Sequence, residues 1–290
     1  CIRDRLVTRT LFGTTASGEE VTLFRIPNNT NDYIEISNYG CTICKICVHN
    51  PAGKMQNILC GYETLAEYEA SELSLGAVLC NAKTAHKVWD IQEVGNNYVF
   101  FSCAVPAEET EVGCALAIGA RIMWVNLNRI VIDLFVTPED SADVNLAYNL
   151  PFRLKESGDL TGYLLRTFCR EVLVNGQHTP VTNTPYADIV FWPQGTEPRT
   201  FLDMSEDSKP MAELANPEAG MTISAYSNLN SLTCDVQEGV KGIRLNQTME
   251  TPVHLEAGQT LTGRIIYGFD RFYTEEEVIS PEPNPFSAFI

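Results

Sequence analysis

The chain is a succession of short β-type runs, and this rhythm is what most limits the folds open to it. Runs rich in Val, Ile, Thr, Tyr and Phe are interrupted by Gly, Asn, Asp or Pro about every ten residues. This rhythm is typical of a large all-β sandwich with antiparallel sheets. The clearest strand predictions are Val21 to Ile26, Tyr33 to Ser37, Cys41 to Val48, Tyr98 to Ala104, Ala115 to Val125, Ile130 to Thr137, Met221 to Tyr226 and Leu261 to Phe269.

One short helix and one unusual terminal stretch complete the organisation. Thr64 and Glu67 form a capping box, which predicts one or two helical turns. With 290 residues, 44% of them hydrophobic, residues 1–272 are predicted to form one domain with a large core. Residues 273–290 combine an acidic run with three prolines before an apolar end. We predict that this extension drapes over the domain or a protein partner, with Phe286 and Phe289 as anchors, the alternative being a disordered end.

The charge of the chain excludes two classes of partner. Its formal net charge is −17, so phosphate backbones and anionic membranes would be repelled, and we expect no nucleic acid and no membrane as partners. No apolar run approaches the roughly 20 residues that span a bilayer. We expect a cytoplasmic protein, although the sequons at Asn28 and Asn246 leave a secreted origin open.

Ten cysteines are spread singly through apolar stretches, which favours buried thiols over a disulfide framework. The spacing of Cys41, Cys44 and Cys47 also invites a metal-site interpretation, because thiolates at short spacing are common ligands. In a regular strand, Cys41 and Cys47 would share one face and Cys44 would point to the other. We therefore predict core packing here and no metal or other cofactor.

Several segments resemble one protein family in order and spacing. Residues 145–154 read Asn-Leu-Ala-Tyr-Asn-Leu-Pro-Phe-Arg-Leu, which resembles the Asn-Leu-Thr-Asn-His-x-Tyr-Phe-Asn-Leu signature of the aldose 1-epimerases, also called galactose mutarotases. Residues 36–40, 58–68, 75–78, 181–188 and 216–220 resemble further segments of that family. The resemblance implies a galactose-mutarotase-like β-supersandwich with very little helix.

The resemblance also implies a chemistry, in which a histidine protonates the ring oxygen of a sugar and a glutamate removes the proton from its anomeric hydroxyl. Both groups must titrate to do this. The family's acid position is Asn149 here, and its base position aligns with Asn246. An amide has no proton to exchange near neutral pH, so the resemblance supports the fold while these two positions argue against catalysis.

Other family sugar-binding positions are also changed. The arginine falls at or near Cys80, and the loop that carries a second histidine has no counterpart, which leaves His86 as a substitute or, alternatively, as a structural or exposed histidine. The aspartate falls near Glu197. Trp192 lies next to predicted loop residues and is a candidate for stacking against a sugar ring, whereas the other two tryptophans are predicted to lie in the core.

Three hypotheses about function follow. The first is a pseudoenzyme of this family, a non-catalytic binding or structural protein, whose partner is a carbohydrate or a protein held through the C-terminal extension. The second is an active aldose or hexose-phosphate 1-epimerase that recruits His86, Glu197 or His178. It requires a histidine and a carboxylate about 5 to 7 Å apart, with a sugar oxygen between them. The third is a lectin-like binder that uses Asn149 and Asn246 to contact sugar hydroxyls.

Overall fold

A computed structural model describes residues 6–125, 128–174, 176–181, 187–188, 199–204, 209–236 and 239–273. Nearly all regular structure in them is β. The strands are β1 (Thr8–Thr14), β2 (Glu20–Pro27), β3 (Tyr33–Ser37), β4 (Thr42–His49), β5 (Met55–Asn57), β6 (Val78–Cys80), β7 (Asp90–Val94), β8 (Tyr98–Val105), β9 (Leu116–Val125), β10 (Arg129–Pro138), β11 (Ala142–Val144), β12 (Leu146–Tyr148), β13 (Pro151–Phe152), β14 (Leu164–Thr167), β15 (Cys169–Val174), β16 (Gln177–Pro180), β17 (Ala187–Asp188), β18 (Arg199–Met204), β19 (Ala212–Asn216), β20 (Met221–Ser227), β21 (Ser231–Val236), β22 (Ile243–Thr248), β23 (Val253–Leu255) and β24 (Leu261–Arg271).

These strands form antiparallel sheets, as predicted. Five strands follow the order β1-β2-β3-β4-β5, nine follow β17-β14-β19-β20-β24-β10-β9-β8-β7, and six follow β13-β22-β21-β18-β15-β16. Two small pairs, β11 with β23 and β6 with β12, complete the arrangement. One large apolar cluster draws side chains from the five-, six- and nine-stranded sheets, so these sheets pack around a shared core. The all-β supersandwich prediction is confirmed. No helix in the described residues is long and apolar enough to cross a membrane.

Each large sheet turns one face to this core and the other outward, because side chains alternate along a strand. On β10, Ile130, Ile132 and Leu134 are fully buried in the core. Asp133 and Phe135, which alternate with them, belong to the outward face, where a groove is open. The outward faces of the six- and nine-stranded sheets therefore carry side chains that do not enter the core.

The predicted helix is α1 (Leu65–Ala70). The capping box is present in full, with the Thr64 hydroxyl accepting from the backbone of Glu67 and the Glu67 carboxylate accepting from the backbone of Thr64. The helix buries Leu65 and Tyr68 in a second, smaller cluster with Val21, Tyr39 and Cys44. Two large buried side chains stabilise the docking of this helix by about 1.5 to 3 kcal/mol each.

The strand geometry around the cysteine triplet differs from the prediction. The pairing of β3 with β4 shifts register between Glu35 and Ile36, so Ile43 and Ile46 both enter the main core. Cys47 stands between Ile46 and Val48 of the main core and so points away from that core, as Cys44 does, whereas Cys41 belongs to it. The expectation that Cys41 and Cys47 share a face was therefore wrong, since a bulge changes the parity of a strand. Burial raises the pKa of the Cys44 thiol to about 12.

Candidate functional site

Three segments that the family resemblance assigns to the sugar site meet in this structure. Strand β6 pairs with β12, which places Cys80 opposite Leu146. The side chain of Asn145 then joins this pair to the end of β22. Its Oδ1 accepts hydrogen bonds from Thr248 Oγ1 at 2.7 Å and from the Met249 amide at 3.1 Å, and its Nδ2 donates to the Met249 carbonyl at 3.0 Å. The backbone amide of Asn145 donates to Asn81 Oδ1 at 2.6 Å.

Asn145 was not singled out from the sequence. Its position at the start of the signature was visible, but its partners lie 64 and 103 or more residues away, so only the fold reveals its role. The Asn145 side chain binds three groups of Thr248 and Met249, and its backbone amide binds Asn81, so this residue fixes the relative position of β6, β12 and β22.

Asn149, at the family acid position, makes hydrogen bonds to the tight turn at residues 73–77. Only 2% of the residue is exposed. Its Nδ2 donates to the carbonyls of Leu73 at 2.9 Å and Ser74 at 3.1 Å, and its backbone bonds Gly76 and Ala77. Its Oδ1 is buried and has no hydrogen-bond partner. Both side-chain donors are therefore used within the protein.

Cys80, at the position assigned to the family arginine, is half-buried at the end of β6. Burial raises the pKa of its thiol to about 12, against a small opposing effect of the Asn81 backbone. The thiol is therefore neutral at physiological pH and donates only weak hydrogen bonds. It cannot replace the bidentate donor that an arginine presents to sugar hydroxyls.

Asn246, at the family base position, lies on the outward face of the six-stranded sheet. Its neighbours Leu245 and Gln247 are fully buried on the core side. The strand register places Thr233 opposite Asn246, followed across the sheet by Thr200, Leu173 and His178. This cross-strand set of five residues is called the Asn246 row below. The Oδ1 atom of Asn246 is buried without a hydrogen-bond partner.

Apart from His178, the polar members of the Asn246 row are hydrogen-bonding groups that do not titrate near neutral pH. The hydroxyls of Thr200 and Thr233 lie 2.9 Å apart. Beside them on the same face, Arg244 forms a bidentate ion pair with Asp235, in which Nε lies 2.7 Å from Oδ1 and Nη2 contacts Oδ2. Amide, hydroxyl and guanidinium groups of this kind can bind sugar hydroxyls, but none of them exchanges a proton as a general acid or base.

His178 stands at the far end of the Asn246 row, in contact with two carboxylates. Its Nδ1 is 3.1 Å from Glu171 Oε2, and its Nε2 is 3.6 Å from Glu250 Oε1. Glu250 follows β22, so this contact links the second strand of the six-stranded sheet to the edge strand β16. The histidine and each carboxylate are in direct contact, which leaves no space for a sugar oxygen between two hydrogen bonds. The same direct pairing joins His49 to Asp32 at 2.6 Å and His254 to Asp143 at 2.8 Å.

His86, the proposed substitute for the missing family histidine, is exposed and contacts Tyr39 instead. Its Nδ1 lies 3.2 Å from the Tyr39 hydroxyl, and the two rings meet edge to face at 6.1 Å. Tyr39 belongs to the second cluster, beside α1. Trp192, Glu197 and the predicted anchors Phe286 and Phe289 lie outside the described residues. Within the described ranges, no three His, Cys, Asp or Glu side chains are grouped as metal ligands.

Comparison with known proteins identifies the fold. Neither a protein-family model nor a curated protein sequence matches the chain. Solved structures do match. A GalM/aldose epimerase homologue from C. elegans is 13% identical, with a TM-score of 0.79 over 87% of this chain and 99% of the other. Galactose 1-epimerase from Lactobacillus acidophilus is 12% identical, with a TM-score of 0.78 over 92% and 99%.

A third structure, a galactose mutarotase-like protein from Clostridium acetobutylicum, is 8% identical, with a TM-score of 0.69 over 93% of this chain and all of its own. The alignments cover nearly the entire length of these proteins. The chain therefore has the galactose mutarotase fold, and the predicted resemblance is confirmed at the level of the fold. At such low identity the likeness establishes the fold and no activity.

Proposed function

We propose that this protein is a non-catalytic carbohydrate-binding protein built on the galactose mutarotase fold. The observation that carries this proposal is the set of hydrogen bonds made by Asn149. Its two side-chain donors bind the carbonyls of Leu73 and Ser74, and only 2% of the residue is exposed. The group at the acid position has no exchangeable proton near neutral pH, and it has no free donor for a sugar.

The base position supports the same conclusion. Asn246 cannot accept a proton near neutral pH, whereas anomeric exchange needs an acid and a base together. Each proton-transfer group typically contributes about 10²- to 10⁴-fold, so the loss of both removes most of the acceleration.

The Asn246 row supports a carbohydrate as the ligand. It places two adjacent threonine hydroxyls and the Arg244–Asp235 pair on one outward face, beside the half-buried Asn246. Sugar hydroxyls both donate and accept, and a surface with mixed donors and acceptors complements them. Asn246 Oδ1 has no hydrogen-bond partner, and the proposal requires that side chains of the row move aside so that a sugar hydroxyl reaches this buried acceptor.

The test combines two NMR measurements on the same sample. Anomeric exchange of galactose and glucose should proceed at the buffer rate, while amide resonances of β21 and β22 should shift on addition of sugar. Asn246→Ala should abolish these shifts, and the matched control Asn96→Ala, at an exposed position remote in the sequence, should keep them. Exchange faster than buffer would refute the non-catalytic part, and the absence of any shift would refute the carbohydrate part.

One observation favours a second candidate function, an active 1-epimerase. His178 and Glu171 lie on the same outward face as Asn246, and Glu250 reaches His178 from the end of β22. A shift of one side chain by a few ångströms would separate the histidine from a carboxylate. If the protein does accelerate exchange, His178→Gln should remove the acceleration and His254→Gln, an exposed histidine with its own carboxylate partner, should not.

A further inference from the structure

A separate groove of about 400 Å³ opens on the outward face of the nine-stranded sheet. The groove is formed by β9, β10, β24 and the end of β20, and its main lining residues are Arg121, Asp133, Phe135, Tyr226, Arg264 and Ile266. It is called the arginine groove below. Its volume lies within the range of small-molecule sites, about 300 to 1,000 Å³. None of its residues belongs to the Asn246 row.

The floor of the arginine groove is a cross-strand triad. The register places Asp133 directly opposite Arg121 on one side and Arg264 on the other. Arg264 binds the carboxylate through both Nε at 2.6 Å and Nη2 at 2.9 Å, and Arg121 Nη2 binds it at 2.7 Å. Burial alone would raise the pKa of Asp133, but the hydrogen bonds from the two arginines hold it below its usual value.

The two arginines of the triad carry one positive charge more than the single carboxylate of Asp133 neutralises. Two guanidinium groups and one carboxylate sum to +2 − 1 = +1, in a chain whose formal net charge is −17. The Asp133 side chain is 2% exposed, whereas the side chains of Arg121 and Arg264 are 40% and 52% exposed. Arg121 Nε is a buried donor with no hydrogen-bond partner. The carboxylate is thus fully engaged, while the cations retain donors on the groove side.

The walls of the groove are apolar and aromatic. Phe135, Tyr226 and Ile266 are half-buried around the triad. A third cation, Arg129, lies over the Tyr226 ring, with its guanidinium carbon 5.3 Å from the ring centroid. Such walls suit the flat face of a ring, and the cation beside Tyr226 adds to the positive potential at that end.

Hydrogen bonds from the end of β20 fix the backbone of β24 at the edge of the groove. Asn228 Oδ1 accepts from the Arg264 amide at 2.7 Å, and Ser227 Oγ donates to the Arg264 carbonyl at 2.9 Å. These bonds fix the backbone from which the Arg264 side chain projects. A site with a fixed backbone loses less conformational entropy when a ligand binds.

A purely structural role explains only part of this arrangement. Cross-strand pairs of opposite charge do stabilise sheets, and one bidentate arginine suffices to neutralise one carboxylate. Arg264 already does so. The second arginine, its unpartnered Nε and the open volume between aromatic walls have no explanation within the sheet itself.

We propose that the arginine groove binds a small monocarboxylate carried on a six-membered ring, with the carboxylate on Arg121 and Arg264 and the ring against Phe135 and Tyr226. One negative charge neutralises the surplus charge of the triad. A phosphate dianion would instead leave a net negative charge at a protein that is already acidic, so a carboxylate is the better match. A sugar acid and an aromatic acid share this chemistry.

The experiment titrates the full chain with galacturonate and benzoate, and with galactose, benzyl alcohol and inorganic phosphate as comparison ligands. Binding is followed by NMR amide shifts on β9, β10 and β24. We expect one of the two carboxylates to bind saturably and the neutral compounds and phosphate not to do so. The arm that binds distinguishes a sugar acid from an aromatic acid.

Two variants test the contact. Arg121→Gln keeps the bidentate Arg264–Asp133 pair and should weaken carboxylate binding by about tenfold to a hundredfold, the usual effect of losing a charge-assisted hydrogen bond. Arg9→Gln makes the same change of net charge at an exposed position of β1 and should not alter binding. An unchanged amide spectrum outside the groove shows that Arg121→Gln has kept its fold.

Several results would overturn the proposal. These are equal binding by both variants, binding of phosphate as strong as that of the carboxylates, and no saturable shift with either carboxylate. If Arg121→Gln unfolds, the unaltered protein is titrated at several NaCl concentrations instead. Its affinity for the carboxylate should fall as NaCl rises, and an affinity that does not depend on salt counts against the proposal. The proposed function is tested separately, because neutral sugars and resonances of β21 and β22 report on it.

Discussion

The replacement Asn149→Asp tests whether this side chain serves the fold and not a ligand. It changes one amide nitrogen to oxygen with almost no change in volume. In the structure that nitrogen donates to two backbone carbonyls, at 2.9 and 3.1 Å, in a residue that is 2% exposed. An ionised carboxylate would place negative charge against two carbonyl oxygens, so the introduced carboxyl is expected to stay protonated in the folded protein.

The magnitude follows from proton linkage. The introduced carboxyl has a pKa near 3.9 in the unfolded chain and a raised pKa in the folded protein. The folded state therefore holds a proton that the unfolded state has lost, and stability falls as pH rises above about 4. The penalty grows by about 1.4 kcal/mol per pH unit and reaches about 4 kcal/mol at pH 7 if the folded pKa exceeds 7. Loss of one donor adds about 1 kcal/mol at any pH.

The assay is urea denaturation of the two proteins at several pH values between about 6 and 7.5, above the sequence pI of about 4.6, where the protein stays charged. Asn81→Asp is the matched control, because Asn81 Oδ1 accepts the Asn145 amide at 2.6 Å and a carboxylate keeps that acceptor. The control should show no such slope. A small loss at Asn149→Asp that does not change with pH would refute the reasoning and leave the Asn149 amide available to a ligand.

Three further perturbations test the framework around the two faces. Tyr267→Phe removes a buried hydroxyl that lies within hydrogen-bond distance of two groups on β22, Leu245 O at 2.7 Å and Gln247 Oε1 at 2.6 Å, and should lower the free energy of unfolding by about 1 to 3 kcal/mol in urea denaturation. Gly76→Ala should destabilise by about 2 kcal/mol or more, measured in the same way, because φ is +71° and a Cβ would lie 2.1 Å from the Ile43 carbonyl oxygen. Asp133→Asn should reduce the thermal unfolding midpoint most near neutral pH and progressively less below about pH 4, because the depressed pKa of Asp133 makes its contribution to stability disappear as the carboxylate is protonated.

The strands and the helix were predictable because their signals are local. Alternation along a strand and the capping box of Thr64 and Glu67 require only neighbouring residues, and both predictions are confirmed. The bulge in β4 was not predictable in this way. It depends on how β4 pairs with β3, and a shift of one residue moved Cys47 to the other side of the strand.

The candidate site was predictable only as a set of segments. The order of the family motifs implied that the chain around Cys80, Asn149 and Asn246 forms one region, and in the structure β6 pairs with β12. What these side chains do was not predictable, because their partners come from elsewhere in the chain. Asn149 binds carbonyls 75 and 76 residues away.

The arginine groove shows why a site on a sheet resists prediction from one sequence. Arg264 lies 131 residues from Asp133, and Arg121 lies 12 residues from it on the neighbouring strand. Only the register places the three in one line across β9, β10 and β24, and a slip of one residue would send Asp133 into the core. Because a carboxylate without partners is costly to bury, the triad itself disfavours that slip. The same three side chains therefore fix the register of the sheet and leave one unneutralised cation on its surface.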